Sequence, residues 1–141
     1  MSLDQEQSVN QLYDDYTRFF EKEIHKTGLT TSSDLDEQGK KTFGSDWKGI
    51  YASDQKLPSE GLCIVNTDRS DQDGTHWLGI NANLNLLYDS FGRSKSKVLP
   101  QWTGKETDHD VEQKNKENNC GQRCLAWLLV SKHYPALCHL I

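Results

Sequence analysis

The sequence predicts a single domain of the α+β class, and three observations carry that expectation. Apolar residues near the start recur at three- and four-residue steps, the period of a helix face. Short apolar runs in the middle of the chain, each bounded by turn residues, read as strands. A denser apolar run from Cys120 to Val130, broken beyond His133 by Tyr134-Pro135, reads as a buried helix. At 141 residues the chain can bury one working core but not two. The division expected is 1–31, an N-terminal amphipathic helix with its linker, and 32–141, the domain that carries the chemistry.

From Leu3 to Lys26 the apolar positions are Val9, Leu12, Tyr13, Tyr16, Phe19, Phe20 and Ile24, a broad helical face closed by Gly28. Such a helix either packs on the domain or serves as a partner-docking or autoinhibitory arm; His25, at its polar end, reads as solvated. The segment Thr30-Thr31-Ser32-Ser33 looks like a linker and cap, and Ser33 with Asp36 resembles a capping box for a second helix ending near Gly44. Trp47 to Tyr51 reads as a turn into an edge strand. Gly61 to Asn66, beyond Pro58, reads as a buried strand with Cys63 in the core. Arg69 to Gly74 is turn chemistry leading into a strand from Thr75 to Ile80, and Asn81-Ala82-Asn83 turns the chain into a third strand, Leu84 to Tyr88. Arg93 to Asn118 is polar and charge-mixed, a surface excursion anchored by Val98, Leu99 and Trp102. The last helix is expected from Cys120 to about His133.

A net charge of −5 and a pI near 5.5 provide no basic field for nucleic acid, so DNA binding is not predicted. With 34% apolar residues and a mean hydropathy of −0.81, the surface has to be polar and the loops generous. No signal peptide and no apolar stretch of membrane-spanning length are legible, so the four cysteines, 63, 120, 124 and 138, are expected as free thiols in a reducing compartment of a protein that is not secreted. A zinc set of Cys120, Cys124, His133 and Cys138 matches no familiar ligand spacing, and no metal is expected.

Two short stretches organise the chemistry: Gly74-Thr75-His76-Trp77 presents a base, and Asn119-Cys120-Gly121-Gln122-Arg123-Cys124 presents a nucleophile. Between them, Tyr88-Asp89-Ser90-Phe91-Gly92 places a carboxylate at the end of an apolar run, and a hairpin brings that carboxylate next to His76. A thiol activated by an imidazole, itself oriented by a carboxylate, is suited to attack on a peptide carbonyl. Gln113, seven positions before Cys120, can donate to the oxyanion together with the Cys120 backbone N–H. Asn119 is a good N-cap, which puts Cys120 in the first helical turn, where the dipole favours an anion. Gly121 leaves room for a substrate backbone, and Cys124, one turn further in, reads as a small core residue.

These residues resemble the adenovirus protease (adenain) family of cysteine endopeptidases, whose core is shared with ubiquitin-like-protein proteases. The resemblance runs from about 32 to 133, through Ser32-Ser33-Asp34 to Phe43, Trp47 to Tyr51, Leu62-Cys63-Ile64-Val65-Asn66-Thr67, Gly74 to Leu78, Tyr88 to Gly92, and Gln113 to Cys124. The seven-residue step from Gln113 to Cys120 is similar to the adenovirus spacing. The resemblance implies a nucleophile on a central helix packed against a mixed sheet that carries His76 and Asp89. It further implies cleavage of viral capsid and core precursors at glycine-containing sites during virion maturation, by a compact viral or virus-like relative working as a monomer in the infected cell (nucleus or virus factory) and in the virion. Gly74, Trp77, Trp47 and Gly121 would then contact substrate, with Trp77 narrowing the cleft. The family's peptide and DNA activators are a further implication. The segment between Gly92 and Gln113 is short and has no cysteine to tether such a peptide, the chain ends at Ile141 soon after the last helix, and the charge is acidic, so no cofactor is expected.

Two other functions use the same residues differently. A deconjugating enzyme that removes ubiquitin or a similar modifier would employ the same four groups but needs a broad docking face. A silent binding module would keep the fold and lose the turnover, and the intact set of four argues against it.

Overall fold

A five-stranded sheet with helices against one face divides the interior into two apolar layers. The computed structural model describes residues 3–24, 30–67, 76–93, 98–107 and 119–141. Its helices are α1 (Leu3–Glu23), α2 (Ser32–Phe43) and α3 (Cys120–His133). The strands β1 (Trp47–Ala52), β2 (Leu62–Asn66), β3 (Trp77–Asn81), β4 (Leu86–Tyr88) and β5 (Lys105–Glu106) lie side by side in chain order. β2, β3 and β4 pair antiparallel, whereas the outer pairs β1–β2 and β4–β5 are parallel, so the domain is α+β with a mixed sheet.

Alternation along the strands assigns side chains to the two faces. Leu62, Ile64, Trp77, Leu86 and Tyr88 join the helices in the larger cluster, while Cys63, Val65, Leu78, Ile80 and Leu87 face Val98 and Leu99 in the smaller one. With both faces covered, the central strands carry continuous apolar runs, not alternating ones. The anchors Val98, Leu99 and Trp102 belong to the crossover between β4 and β5, and they cover the second face as the sequence suggests.

Helix α3 is buried on nearly every side. β3 packs against it at Gly79, where a Cβ would stand in ordinary contact, 3.5 Å from Trp127 and 3.6 Å from Leu128. Asn81 Nδ2 donates to Ser131 Oγ at 2.9 Å, fixing its far end to the same strand. Trp127 stacks on Tyr88 with ring centroids 5.4 Å apart and donates its indole N–H to the Cys138 carbonyl. α1 covers another side with Val9, Tyr13 and Phe20, joined by Ile24 just beyond its end, all buried within the larger cluster. Phe19 stays 47% exposed, so the apolar face of α1 is narrower than its composition suggests.

Several boundaries differ from the sequence expectation. α1 ends at Glu23; Lys26, Gly28 and His25 lie outside the described residues. The capping box of α2 is Thr31 with Asp34, not Ser33 with Asp36: Thr31 has the extended backbone a cap requires, and its hydroxyl accepts from the Asp34 N–H. Asp36 instead accepts the Trp47 indole N–H at 2.8 Å. β4 begins at Leu86 because Leu84 and Asn85 remain in the turn, Asn85 at a φ of 58°. β5 was not expected at all; its two polar residues carry no periodicity, and only backbone pairing to Leu86 and Leu87 defines it. Among the described residues no helix is long and apolar enough to cross a membrane.

Gly39 of α2 faces the Trp47 ring, and a Cβ there would lie 2.2 Å from it. That ring is buried and stacked on Phe43, so it cannot retreat. Gly39→Ala is therefore expected to destabilise by about 1–3 kcal/mol, because overpacking outweighs a helix-propensity gain of about 1 kcal/mol. Urea unfolding monitored by tryptophan fluorescence checks this, and a midpoint that stays or rises contradicts it.

Candidate active site

His76 immediately precedes β3, and its position is fixed by the sheet: its carbonyl accepts the Thr67 N–H at 3.0 Å, one further rung on the β2–β3 ladder. Asp89 immediately follows β4, the antiparallel neighbour of β3. The hairpin thus brings the two side chains together, His76 Nε2 to Asp89 Oδ1 at 2.6 Å, with both buried.

Asp89 is also the first residue of a tight turn. Its carbonyl accepts the Gly92 N–H at 2.9 Å, the bond of a β-turn, and its Oδ1 accepts the Phe91 N–H at 3.0 Å, the bond of an Asx turn. Gly92, at a φ of 67°, reverses the chain without a Cβ penalty. Arg93 then returns to the carboxylate, its Nε donating to Oδ2 at 2.9 Å. One oxygen of Asp89 is committed to His76 and the other to Arg93. Phe91 stacks on the imidazole with centroids 4.6 Å apart, and the Arg93 guanidinium lies 5.2 Å from the Phe91 ring centroid.

Cys120 is the first residue of α3, and its interaction with His76 helps to raise the imidazole pKa. Because Nε2 is engaged with Asp89, Nδ1 is the ring nitrogen left for another partner. The first N–H groups of a helix have no intrahelical partner, so the Cys120 backbone N–H points out of the α3 terminus. Asn119 occupies the N-cap position, but its side chain makes no cap bond; its Oδ1 accepts from Arg123 Nε at 3.1 Å instead. The expected cap is thus replaced by a link to the next turn, and the first-turn N–H groups are not consumed by it.

Burial alone would push the His76 pKa down, but the hydrogen bonds and charges of Asp89 and Cys120 reverse this and leave it above the ordinary imidazole value. Burial would raise Asp89, yet His76, the Phe91 N–H and Arg93 together hold it below the usual carboxylate range. The other thiols have no such company. Burial drives Cys63 to about 12 and Cys138 to about 11, and Cys124 goes well above its ordinary value. Of the four free buried cysteines, Cys120 is the one whose interaction contributes to the His76 shift. No group of three or more candidate metal ligands occurs among the described residues, and His133 of the zinc set considered above is exposed.

The structure therefore brings together His76, Asp89 and Cys120. Gln113 and Gly74 lie outside the described residues. Trp77 opens β3 beside the site and is 7% exposed, so it offers little surface of its own. Two expectations change. Gly121 does not open a path for substrate: the space beside it is occupied by Leu35 of α2, 2.8 Å from where a Cβ would stand. Trp47 does not reach the cleft. It pairs with Leu62, while the site lies at the Asn66 end of β2, roughly 13 Å along the strand. Its neighbour Asp46 bonds Lys132 at 3.2 Å, at the opposite end of α3 from Cys120. The residues that went unassigned are Arg93 and Phe91. The signal for both was the turn sequence Asp89-Ser90-Phe91-Gly92, which implies a chain reversal onto Asp89. No protein-family model matches the chain, and no curated protein matches it either.

A raised imidazole pKa contributes stability that is complete below the unfolded value of 6.5 and lost as pH rises through the folded one; a depressed carboxylate contributes above 3.8 and loses it as pH falls. The pair is thus expected to stabilise most between those two values. In Asp89→Asn both slopes should flatten, and the His76 ring should titrate lower by NMR. An unchanged His76 titration would show that Asp89 does not hold the charge.

Proposed function

We propose that this chain is a cysteine endopeptidase in which Cys120 is the nucleophile, His76 the general base and acid, and Asp89 the group that orients the imidazole. The observation that carries the reading is the buried Asp89–His76 bond of 2.6 Å, with Cys120, at the start of α3, interacting with the same imidazole. His76 Nδ1 takes the thiol proton as sulfur bonds to the carbonyl carbon, then delivers it to the departing amine. Water, deprotonated by the same nitrogen, hydrolyses the thioester and frees the thiol. Throughout, the Asp89 carboxylate stays ionised, because Arg93 and the Phe91 N–H stabilise its charge. The backbone N–H of Cys120 is one donor to the oxyanion, and the resemblance to adenovirus proteases gives Gln113 the second.

The same resemblance provides the finer reading: an adenain-like arrangement of sheet and central helix, acting on viral capsid and core precursors at glycine-containing sites, in the infected cell and the virion. In this reading Trp77, next to His76 in the chain, keeps the cleft narrow, and glycine is what fits.

Cleavage of glycine-rich peptides and of folded ubiquitin-like fusions, followed by mass spectrometry, tests the reading. Cys120→Ala should be inactive with an unchanged circular dichroism spectrum, whereas Asp89→Asn should retain a residue of activity, lower by roughly 10²–10⁴ in kcat. Turnover retained in Cys120→Ala ends the reading. Cleavage confined to the folded fusions would transfer it to deconjugation.

A further inference from the structure

Helix α1 contributes no group to the reaction, yet it buries a hydroxyl at a node that touches both halves of the site. Tyr13, 1% exposed, hydrogen-bonds through its hydroxyl to the hydroxyl of Tyr88, which is fully buried. The same oxygen accepts from Arg123 Nη1 at 3.2 Å. Arg123 then reaches back along α3, its Nε donating to Asn119 Oδ1 at 3.1 Å, while its guanidinium lies 5.8 Å from the Tyr13 ring centroid.

Each end of this chain of contacts is one residue away from the chemistry. Tyr88 directly precedes Asp89, and Asn119 directly precedes Cys120. Stability alone does not call for these groups. A phenylalanine at 13 would fill the same space, and a core phenol or guanidinium has to be fully hydrogen-bonded merely to break even with an apolar side chain. The polar groups do something that an apolar contact cannot: directional bonds fix the end of β4 relative to the first turn of α3. The covalent connection between those two points runs through residues 90–118, too long to set a distance to within an ångström.

We propose that Tyr13 and Arg123 are positioning residues for Cys120, His76 and Asp89, with the Tyr13 hydroxyl joining the strand end before Asp89 to the guanidinium that holds the residue before Cys120. This inference rests on the protease reading for its role in turnover. It makes α1 a part of the active apparatus, so that displacing α1 alters the site without touching a reacting atom.

The test compares Tyr13→Phe and Arg123→Lys with Thr17→Val in the full chain. Thr17 is a buried residue one turn on, whose hydroxyl donates to the Tyr13 carbonyl at 2.9 Å, so its removal disturbs the same helix but not the node. Two readouts are taken: peptide cleavage, and the pH titration of the His76 ring by NMR. Tyr13→Phe and Arg123→Lys are expected to lose kcat about tenfold with KM within about twofold, and to let His76 titrate nearer the ordinary imidazole value. Thr17→Val should match wild type in both. Wild-type kcat and an unmoved His76 titration in either Tyr13→Phe or Arg123→Lys overturn the proposal, as does an equal loss in Thr17→Val. Should the wild type cleave no peptide, the protease reading fails on its own, and the His76 titration alone decides whether the node positions the site.

Discussion

A helix with almost no polar face has to be covered on every side, and the cover given to Cys120–His133 dictates where the other elements lie. β3 packs on it at Gly79, which faces Trp127 and Leu128. Leu35 of α2 fits against Gly121, and α1 closes the remaining side with Val9, Tyr13 and Phe20. Because the sheet and both other helices are docked on one helix, its N-terminus is held relative to all of them. A thiol at that terminus therefore has a fixed position, which is what nucleophile and base require of each other.

The second constraint is electrostatic. A buried carboxylate is tolerable only if its charge is compensated by hydrogen bonds and opposite charge, and Asp89 has both: His76 on one oxygen, Arg93 on the other, and the Phe91 N–H besides. The compensation is local in origin, since an Asx turn followed by Gly92 returns Arg93 to the residue that started the turn. A strand-terminal aspartate that caps a turn and one that orients an imidazole are usually alternatives. Here one side chain does both, because each carboxylate oxygen accepts more than one donor.

Substrate-contact expectations fared differently from the expectation that His76, Asp89 and Cys120 lie together. Gly121 was expected to leave room for a substrate backbone, and the resemblance to adenovirus proteases placed Trp47 among the substrate contacts. Both turn out to be packing residues: Gly121 accommodates Leu35, and Trp47 lies on Gly39 with its indole N–H on Asp36. A small residue and a large aromatic are what helix–helix and helix–strand contacts also require, so residue type cannot separate the two uses.

What the sequence determined by itself is what depends on near neighbours. The limits of the last helix follow from Cys120 at one end and Tyr134-Pro135 at the other, and the runs Gly61 to Asn66 and Thr75 to Ile80 read as strands, though Asn81, expected in the turn, closes β3. A hairpin between neighbouring strands then suffices to bring His76 to Asp89 across thirteen positions. The tertiary structure alone decided the contacts between distant segments: Tyr13 on Tyr88 across 75 positions, Gln122 donating to Thr30 across 92, and Leu35 against Gly121. Helix and strand periods determine which side of an element is buried, but not which element covers it. That choice is made by how α1, α2 and the sheet divide the surface of α3 among them.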